Sequence, residues 1–185
     1  MIKDSFTGIL PAVVTPLSED GQFMSSAFER LLDRLYSFGI DGLYVCGQTG
    51  EGLQLSSVQR KRVTETAIKR SPKGKQIIVH VGAMSTSEAV ALAQHAEKAG
   101  SHAVSALPPI GNYSFDEVKA YYSAIAGATS LPLIIYYFPA LGPAVKTVDQ
   151  VLELCSIRGV IGMKYTDSDL FRLSEVRKSG ARIYF

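Results

Sequence analysis

The sequence predicts an α/β protein built on a parallel sheet. Seven short runs rich in Val, Ile and Leu alternate with longer stretches of helical periodicity, and the runs lack alternating polar residues. Continuous apolar character is typical of strands that are covered on both faces, as they are in a parallel sheet. The predicted strands span residues 8–15, 42–46, 76–81, 103–107, 131–138, 160–165 and 181–185.

Capping boxes support the helices between these strands. A capping box is a Ser or Thr followed three residues later by Glu or Gln, and it marks the start of a helix. Because the strand and helix unit recurs roughly every 20–35 residues, we expect successive right-handed βαβ crossovers. No GxGxxG turn follows the first strand, which favours a (β/α)8 TIM barrel over a dinucleotide-binding sheet. The five boxes pair Ser26 with Glu29, Ser56 with Gln59, Ser85 with Glu88, Ser114 with Glu117 and Thr147 with Gln150.

The domain organisation follows from the same pattern. No linker or low-complexity segment divides the chain, so residues 1–185 are predicted to form a single barrel domain. The seventh predicted strand reaches the last residue, whereas a (β/α)8 barrel has eight strands and about 250 residues. We therefore expect a barrel that is truncated in strand seven and incomplete at its C-terminus, in a chain that copies only part of a longer protein.

The composition excludes several classes of function. With 46% hydrophobic residues and a net charge of +2, the chain has no electrostatic basis for binding nucleic acid or a membrane surface. Arg60, Lys61 and Arg62 are predicted to lie on the solvated face of a helix. Cys46 and Cys155 match no metal-ligand spacing, so no metal site is expected. No apolar stretch approaches the ~20 residues of a transmembrane helix, and the N-terminus lacks a signal peptide's apolar segment, so we expect a cytoplasmic protein.

Lys164 is the residue that points most directly to chemistry. It lies in the apolar strand 160–165, where a charged group is normally excluded. Burial disfavours the charged form of an amine and lowers its pKa, and a neutral amine can attack a ketone to form a Schiff base. The alternative is a side chain that reaches from the strand end to water.

The turn after the second predicted strand, residues 47–52, is rich in glycine and reads Gly-Gln-Thr-Gly-Glu-Gly. The glycines permit a close approach of the backbone, and the amides together with Thr49 can hold an anion such as a carboxylate. The Gly-Lys-Ser/Thr ending of a phosphate-binding P-loop is missing. An ordinary connection from strand to helix is the alternative interpretation.

Tyr136 and Tyr137 are adjacent in the fifth predicted strand. Because neighbouring strand residues face opposite ways, at most one of them points into a barrel. An inward phenol near Lys164 can transfer protons to and from a carbinolamine. The alternative is two packing aromatics, one in the barrel core and one beneath a helix.

Together these motifs resemble the dihydrodipicolinate synthase and N-acetylneuraminate lyase superfamily, whose members are class I aldolases built on a (β/α)8 barrel. The opening residues 8–16 are also similar to the family's first strand. The three motifs that carry the resemblance are Gly47-x-Thr49-Gly50-Glu51, Tyr136-x-x-Pro139 and Gly162-x-Lys164.

The resemblance implies roles for particular residues. Lys164 matches the lysine that forms a Schiff base with the C2 ketone of pyruvate or of a pyruvoyl sugar acid, and Tyr136 matches the tyrosine that shuttles protons. Gln48, Thr49 and Gly50 stand at the positions of the family motif that binds the pyruvate carboxylate and relays protons to the tyrosine. The resemblance also implies a homotetramer and no metal or organic cofactor, because the lysine itself is the electron sink.

The residues beyond the strand ends favour the sialic acid lyase branch. Dihydrodipicolinate synthases carry an arginine two residues after the strand-five proline to bind the aldehyde's carboxylate, whereas this sequence has Leu141. The segment that begins at Lys164 is similar to the lyases' strand-six segment, in which Thr166 matches the threonine that lines the sugar site. The resemblance therefore implies a carbon–carbon lyase that cleaves N-acetylneuraminate to pyruvate and N-acetylmannosamine.

Three departures from the family pattern leave other functions open. Gln48 stands where the family usually has Ser or Thr, and residues 142–145 replace the usual Thr-Gly-Val. The loop after the fourth predicted strand is one residue shorter and lacks a tyrosine at the matching place. The alternatives are a lyase or dehydratase for another 2-keto-3-deoxy sugar acid, a 4-hydroxy-tetrahydrodipicolinate synthase, and a barrel that binds ligands without catalysis.

Overall fold

A computed structural model of the protein describes residues 6–184. In this part of the chain, six parallel strands are linked by helices, and strands that follow one another in the sequence are neighbours in the sheet. The strands are β1 Gly42–Val45, β2 Gln76–His80, β3 Ala103–Ala106, β4 Leu133–Tyr137, β5 Val160–Tyr165 and β6 Ile183–Tyr184. The helices are α1 Ser25–Ser37, α2 Ser57–Arg70, α3 Thr86–Ala99, α4 Phe115–Gly127, α5 Val148–Cys155 and α6 Leu170–Lys178.

The alternation of residues along the strands divides the core into two layers. One cluster lies on the concave face of the sheet and includes Tyr44, Ile78, Ile134 and Tyr136. The larger cluster contains the intervening strand residues, such as Leu43, together with the apolar faces of the helices. The sheet is therefore a curled half-barrel covered by helices, which confirms the predicted parallel α/β architecture.

The prediction of a full strand over residues 8–15 is wrong. This segment runs parallel to β1 and forms one isolated bridge, between Ala12 and Tyr44. The backbone N–H of Asp41 donates to Ile9, that of Tyr44 donates to Pro11, and that of Val13 donates to Tyr44. Proline has no N–H to contribute to a ladder, so the pairing stays incomplete at Pro11. The other six predictions match β1 to β6 with ends that differ by at most two residues.

Three of the five predicted capping boxes are confirmed in full, at the starts of α2, α4 and α5. At α3 the Ser85 side chain accepts from the Glu88 N–H, but the Glu88 carboxylate instead accepts a hydrogen bond from the Ser57 hydroxyl. The box at Ser26 is wrong, because α1 begins at Ser25 after Met24, which makes no side-chain cap. There the backbone bond from Met24 N–H to the carbonyl of Pro16 fixes how the chain enters the helix.

Candidate active site

Lys164 and Tyr136 meet on the concave face of the half-barrel. They are register partners in the parallel pairing of β4 with β5, so their side chains project from neighbouring strands on the same face. The Lys164 Nζ lies 3.8 Å from the centroid of the Tyr136 ring and 5.6 Å from that of the Tyr44 ring. The register of the two strands therefore brings these two candidate residues together.

The Lys164 amine is held in a setting that favours its neutral form. Burial lowers its pKa from the ordinary 10.5 to about 8. Nζ donates a hydrogen bond to the Thr166 hydroxyl oxygen at 2.8 Å. Across residues 6–184, no carboxylate lies within salt-bridge distance of this amine. The neutral, nucleophilic form is still the minor one at pH 7, about a tenth of the amine, but it is far more abundant than in an ordinary lysine.

Tyr136, and not Tyr137, is the tyrosine that faces the concave side. Its ring packs edge-on against Tyr44 and His80, at 6.1 and 5.9 Å between centroids, and stacks on Phe138 at 6.1 Å. Tyr137 lies on the helix side, where its hydroxyl accepts a 2.6 Å hydrogen bond from the Arg172 guanidinium. Burial raises the pKa of Tyr136, while a hydrogen bond with the Thr166 side chain acts in the lowering direction. Tyr136 is thus a neutral phenol with a fixed ring.

Thr166 lies beside the Lys164 amine, from which its hydroxyl accepts a hydrogen bond. Its backbone N–H donates to the carbonyl of Tyr137 at 2.9 Å, which fixes the residue just beyond the end of β5. Beside it is a shallow depression of about 530 Å³ whose lining includes apolar Phe138 and Ala140 and polar Asp167 and Ser168. The structure therefore brings three of the six predicted site residues into one group: Lys164, Tyr136 and Thr166.

The other three predicted residues lie in the turn that follows β1. The Gly50 carbonyl accepts a 2.7 Å hydrogen bond from the Thr15 hydroxyl, and a Cβ at Gly50 would stand 2.7 Å from the carbonyl oxygen of Val13. Only glycine fits that approach. The side chains of Gln48 and Thr49 are exposed, and within the described residues neither makes a hydrogen bond to Lys164 or Tyr136. Their carboxylate-binding role stays a prediction.

Arg60 contradicts the expectation of a solvated helix face, because its side chain is only 3% exposed. It falls on the same stripe of α2 as the buried Val63, Thr64 and Ala67. The helical spacing 60, 63, 64 and 67 was the signal that could have placed it. Its guanidinium donates to the carbonyls of His80 at 2.8 Å and Gly82 at 2.9 Å, at the carboxyl end of β2.

His80 lies next to Tyr136 on the concave face, although it is not among the site residues predicted from the sequence. The ring is buried, and Nε2 accepts a 3.0 Å hydrogen bond from the Leu107 N–H. Burial lowers the pKa of His80 to about 3, and the nearby positive charges of Arg60 and Lys164 act in the same direction. His80 is therefore a neutral packing partner of Tyr136, and the period-two spacing from the inward Ile78 could have identified its face.

A cavity of about 510 Å³ lies on the concave face and reaches Lys164, with Tyr44, Ile78 and Ile134 in its wall.

Among the described residues, no group of three or more His, Cys, Asp or Glu side chains is arranged to hold a metal ion. No helix in residues 6–184 is long and apolar enough to cross a membrane.

Comparisons with known proteins place this geometry in context. The model of the dihydrodipicolinate synthetase family matches residues 5–184. The N-acetylneuraminate lyase of Rhizobium meliloti (strain 1021) is 39% identical over 171 residues, which cover 92% of this chain and 57% of that protein. The crystal structure of N-acetylneuraminate lyase from Mycoplasma synoviae is similar with a TM-score of 0.90 at 31% identity, covering 100% of this chain and 63% of that one.

A third similar structure belongs to a variant of a sialic acid aldolase. The structure of a catalytic lysine mutant of the sialic acid aldolase from Ruminococcus gnavus is similar with a TM-score of 0.90 at 26% identity, covering 96% of this chain and 60% of that one. The chain thus spans 57% to 63% of the length of these three relatives.

Proposed function

The chain belongs to the dihydrodipicolinate synthetase family, and we propose that it is a class I aldolase that cleaves N-acetylneuraminate to pyruvate and N-acetylmannosamine. The observation that carries the proposal is the setting of Lys164, whose amine has a pKa lowered to about 8 and contacts both Tyr136 and Thr166. An accessible neutral amine beside a phenol is what Schiff-base chemistry on a ketone requires.

In the proposed reaction, the Lys164 amine attacks the C2 ketone of the sugar acid and water leaves, which gives an iminium ion. The iminium draws electrons from the neighbouring C3–C4 bond. Tyr136 gives its own proton to the hydroxyl that leaves as water and becomes a phenolate. The phenolate then takes the proton of the C4 hydroxyl while the C3–C4 bond breaks, so the aldehyde departs and an enamine of pyruvate stays on the lysine. The enamine then takes a proton at C3, and water releases pyruvate from the lysine. By microscopic reversibility the same groups catalyse the aldol condensation.

The carboxylate of the substrate is proposed to bind at the turn that follows β1. Gln48 and Thr49 expose their side chains there, and Gly50 lets the backbone approach closely enough to present amides. Thr166 is proposed to line the sugar site, at the depression whose wall combines apolar Phe138 with polar Ser168. A sugar, which carries hydroxyl groups on an apolar ring face, suits a wall of that kind.

The choice of a sialic acid rests on two further observations. Relatives at 38–39% identity carry the name N-acetylneuraminate lyase. Leu141 stands where the synthases place a carboxylate-binding arginine, and it packs against the concave apolar cluster, so it offers no charge to an acidic aldehyde. Gln48, which replaces a hydroxyl residue of the family pattern, favours a lyase for another 2-keto-3-deoxy sugar acid as the second candidate.

We also propose that residues 1–185 belong to a single (β/α)8 barrel domain, in which β6 is the seventh strand and residues 8–15 take the place of the first without forming a full strand. The curled half-barrel and the similarity to solved lyases support this assignment. A homotetramer in the cytoplasm, working without metal or organic cofactor, is proposed from the family resemblance. Light scattering on the purified protein tests the tetramer.

Trapping with borohydride tests the proposed function. Incubation of the intact protein with pyruvate and borohydride is expected to leave a reduced pyruvate adduct that peptide mapping assigns to Lys164. Lys164→Met is expected to form no adduct, whereas Lys98→Met, at an exposed lysine of α3, should label like the unmodified protein. Absence of an adduct in a folded protein overturns the aldolase assignment. Pyruvate release from N-acetylneuraminate, compared with other 2-keto-3-deoxy sugar acids, then decides the substrate.

A further inference from the structure

Two aromatic rings face the nitrogen of Lys164. The Nζ atom lies over the Tyr136 ring at 3.8 Å from its centroid, and over the Tyr44 ring at 5.6 Å. Both distances fall within the roughly 6 Å over which the face of an aromatic ring attracts a cation. The two rings meet edge to face, with 6.1 Å between their centroids and an angle of 86° between their planes. They therefore form a corner of two ring faces around the nitrogen.

Tyr44 is held firmly in this orientation. Its hydroxyl donates a 3.1 Å hydrogen bond to the Ser105 hydroxyl oxygen, which joins β1 to β3 across the concave face. The Tyr44 residue is only 5% exposed, and burial raises the pKa of its phenol, so the ring stays uncharged. A ring that is shielded from water attracts a cation more strongly than an exposed one. The position and the burial of Tyr44 thus suit it to act on a charge at Nζ.

The surroundings of Lys164 offer no carboxylate side chain to a positive charge. Within residues 6–184, no Asp or Glu lies within salt-bridge distance of Nζ. Negative groups that accompany the reaction have other tasks, because the substrate carboxylate is proposed to bind at the turn after β1 and the Tyr136 phenolate takes a proton. The titratable side chains on the concave face of the surrounding strands are three phenols and one imidazole, those of Tyr44, Tyr136, Tyr184 and His80.

We propose that Tyr44 stabilises the positively charged iminium that Lys164 forms with its substrate, through the face of its ring. This inference deepens the proposed Schiff-base function and rests on it. When the iminium forms, the amine nitrogen makes a double bond to C2, and the ketone oxygen leaves as water with one proton from the amine and one from Tyr136. The nitrogen keeps one hydrogen and a positive charge. Tyr44 is not among the residues to which the family resemblance gives a role.

The same ring also acts on the free lysine, which gives its effect a dependence on pH. With a pKa of about 8, the free Lys164 amine is mostly neutral at pH 9 and mostly a cation at pH 7. At pH 9 the ring therefore stabilises only the iminium. At pH 7 it stabilises the ammonium before the reaction as well as the iminium after it, so the two effects largely cancel. A weaker attraction should lower the iminium population at pH 9 more than at pH 7.

Fluorinated phenylalanines at position 44 test the proposal. Tyr44→Phe keeps the ring and is the reference of the series, in which one, two and three fluorine atoms withdraw negative charge from the ring face and change its size little. When reduction by cyanoborohydride limits the rate, adduct formation with pyruvate reports the iminium population. At pH 9 the rate is expected to fall with each fluorine, by roughly three- to thirtyfold for Tyr44→trifluorophenylalanine. At pH 7 the same series should span less than about twofold.

The matched control is Phe28→trifluorophenylalanine. Phe28 belongs to the larger core cluster on the helix side, is 1% exposed, and packs edge-on against Phe23 at 5.5 Å between centroids. This variant carries the same three fluorine atoms in a buried ring that does not face the amine. It is expected to label at the unmodified rate at both pH values.

Three outcomes would contradict the proposal. If labelling at pH 9 does not depend on the number of fluorine atoms, stabilisation by Tyr44 is overturned while the aldolase function stands. An equal fall at pH 7 and pH 9 also overturns it, since that pattern indicates lost packing and not a lost attraction for the cation. If the unmodified protein itself forms no adduct, the proposed function fails first, and the role of Tyr44 fails with it.

Discussion

The carboxyl ends of β4 and β5 differ from those of β1 and β2, although both regions carry residues that the family resemblance assigns to the site. At β4 and β5, side chains contact one another: Lys164, Tyr136 and Thr166 form one group. At β1 and β2, close packing and buried hydrogen bonds hold the backbone in place. A Cβ at Gly52 would stand 1.8 Å from the carbonyl oxygen of Cys46, and Arg60 holds two carbonyls at the end of β2.

The two regions should therefore respond differently to mutation, one mainly in reaction rate and the other mainly in stability. Where side chains form the site, a conservative substitution removes one chemical group and leaves the backbone in place, so it should change rate more than stability. Where buried groups hold the backbone, substitution leaves carbonyls unsatisfied or forces atoms apart, so it should change stability more than rate. Substitutions in the two regions test that division, beginning with the largest expected effect.

Tyr136→Phe is expected to lower kcat for sugar-acid cleavage about 100- to 1000-fold, because it removes the proposed general acid–base group. Its unfolding free energy should change by less than about 1 kcal/mol, since the ring contacts with Tyr44, His80 and Phe138 are kept. Tyr137→Phe is the matched control. It loses the hydrogen bond from Arg172, worth roughly 1 kcal/mol of stability, and keeps kcat. A greater loss of kcat in Tyr137→Phe would reverse the assignment of the two tyrosines.

Arg60→Met is expected to lower the unfolding free energy by about 2–4 kcal/mol, because two buried carbonyls lose their donors. Urea unfolding measures this change. Lys69→Met, at an exposed position of the same helix, should lie within about 0.5 kcal/mol of the unmodified protein. Equal stability of Arg60→Met and the unmodified protein would show that the carbonyls of His80 and Gly82 do not depend on the guanidinium.

The two regions also differ in how far the sequence could predict them. The meeting of Lys164 with Tyr136 follows from parallel pairing and a period of two, both of which are visible in the sequence. The same period allows only one of Tyr136 and Tyr137 to face inward, and the family resemblance is what favours Tyr136. Prediction was less complete for Thr166, because its link to both groups depends on rotamers and on how far β5 extends, which residue spacing does not determine.

Prediction failed at β1 and β2 for reasons of tertiary structure. Arg60 was placed in solvent by its charge, although a long side chain can be buried when carbonyls at a strand end accept its protons. Residues 8–15 have the apolar character of a strand, but Pro11 removes a donor and only one bridge forms. In both cases the sequence shows the residue type, but the available hydrogen-bond partners decide whether the side chain is buried or the strand is paired.

The pH dependence of labelling sharpens the description of the β4 and β5 site. With the pKa of Lys164 lowered to about 8, the neutral amine is the minor form below pH 8 and the major form above it. The rate of adduct formation should therefore rise roughly tenfold from pH 7 to pH 9 and level off above that. An ordinary lysine would continue to gain rate through pH 10. A profile without a plateau would show that the amine is not desolvated in the way the structure indicates.

Substitution of Gln48 is expected to have the smallest effect, and it is the sharpest comparison of the two regions. Gln48→Thr restores the hydroxyl of the family pattern at an exposed position that makes no contact with the Lys164 amine. Labelling by pyruvate should therefore change by less than about threefold, which corresponds to under roughly 1 kcal/mol. A larger gain in rate would mean that a hydroxyl in the turn after β1 reaches the reacting groups during catalysis, so the two regions would form one proton path rather than two separate parts of the site.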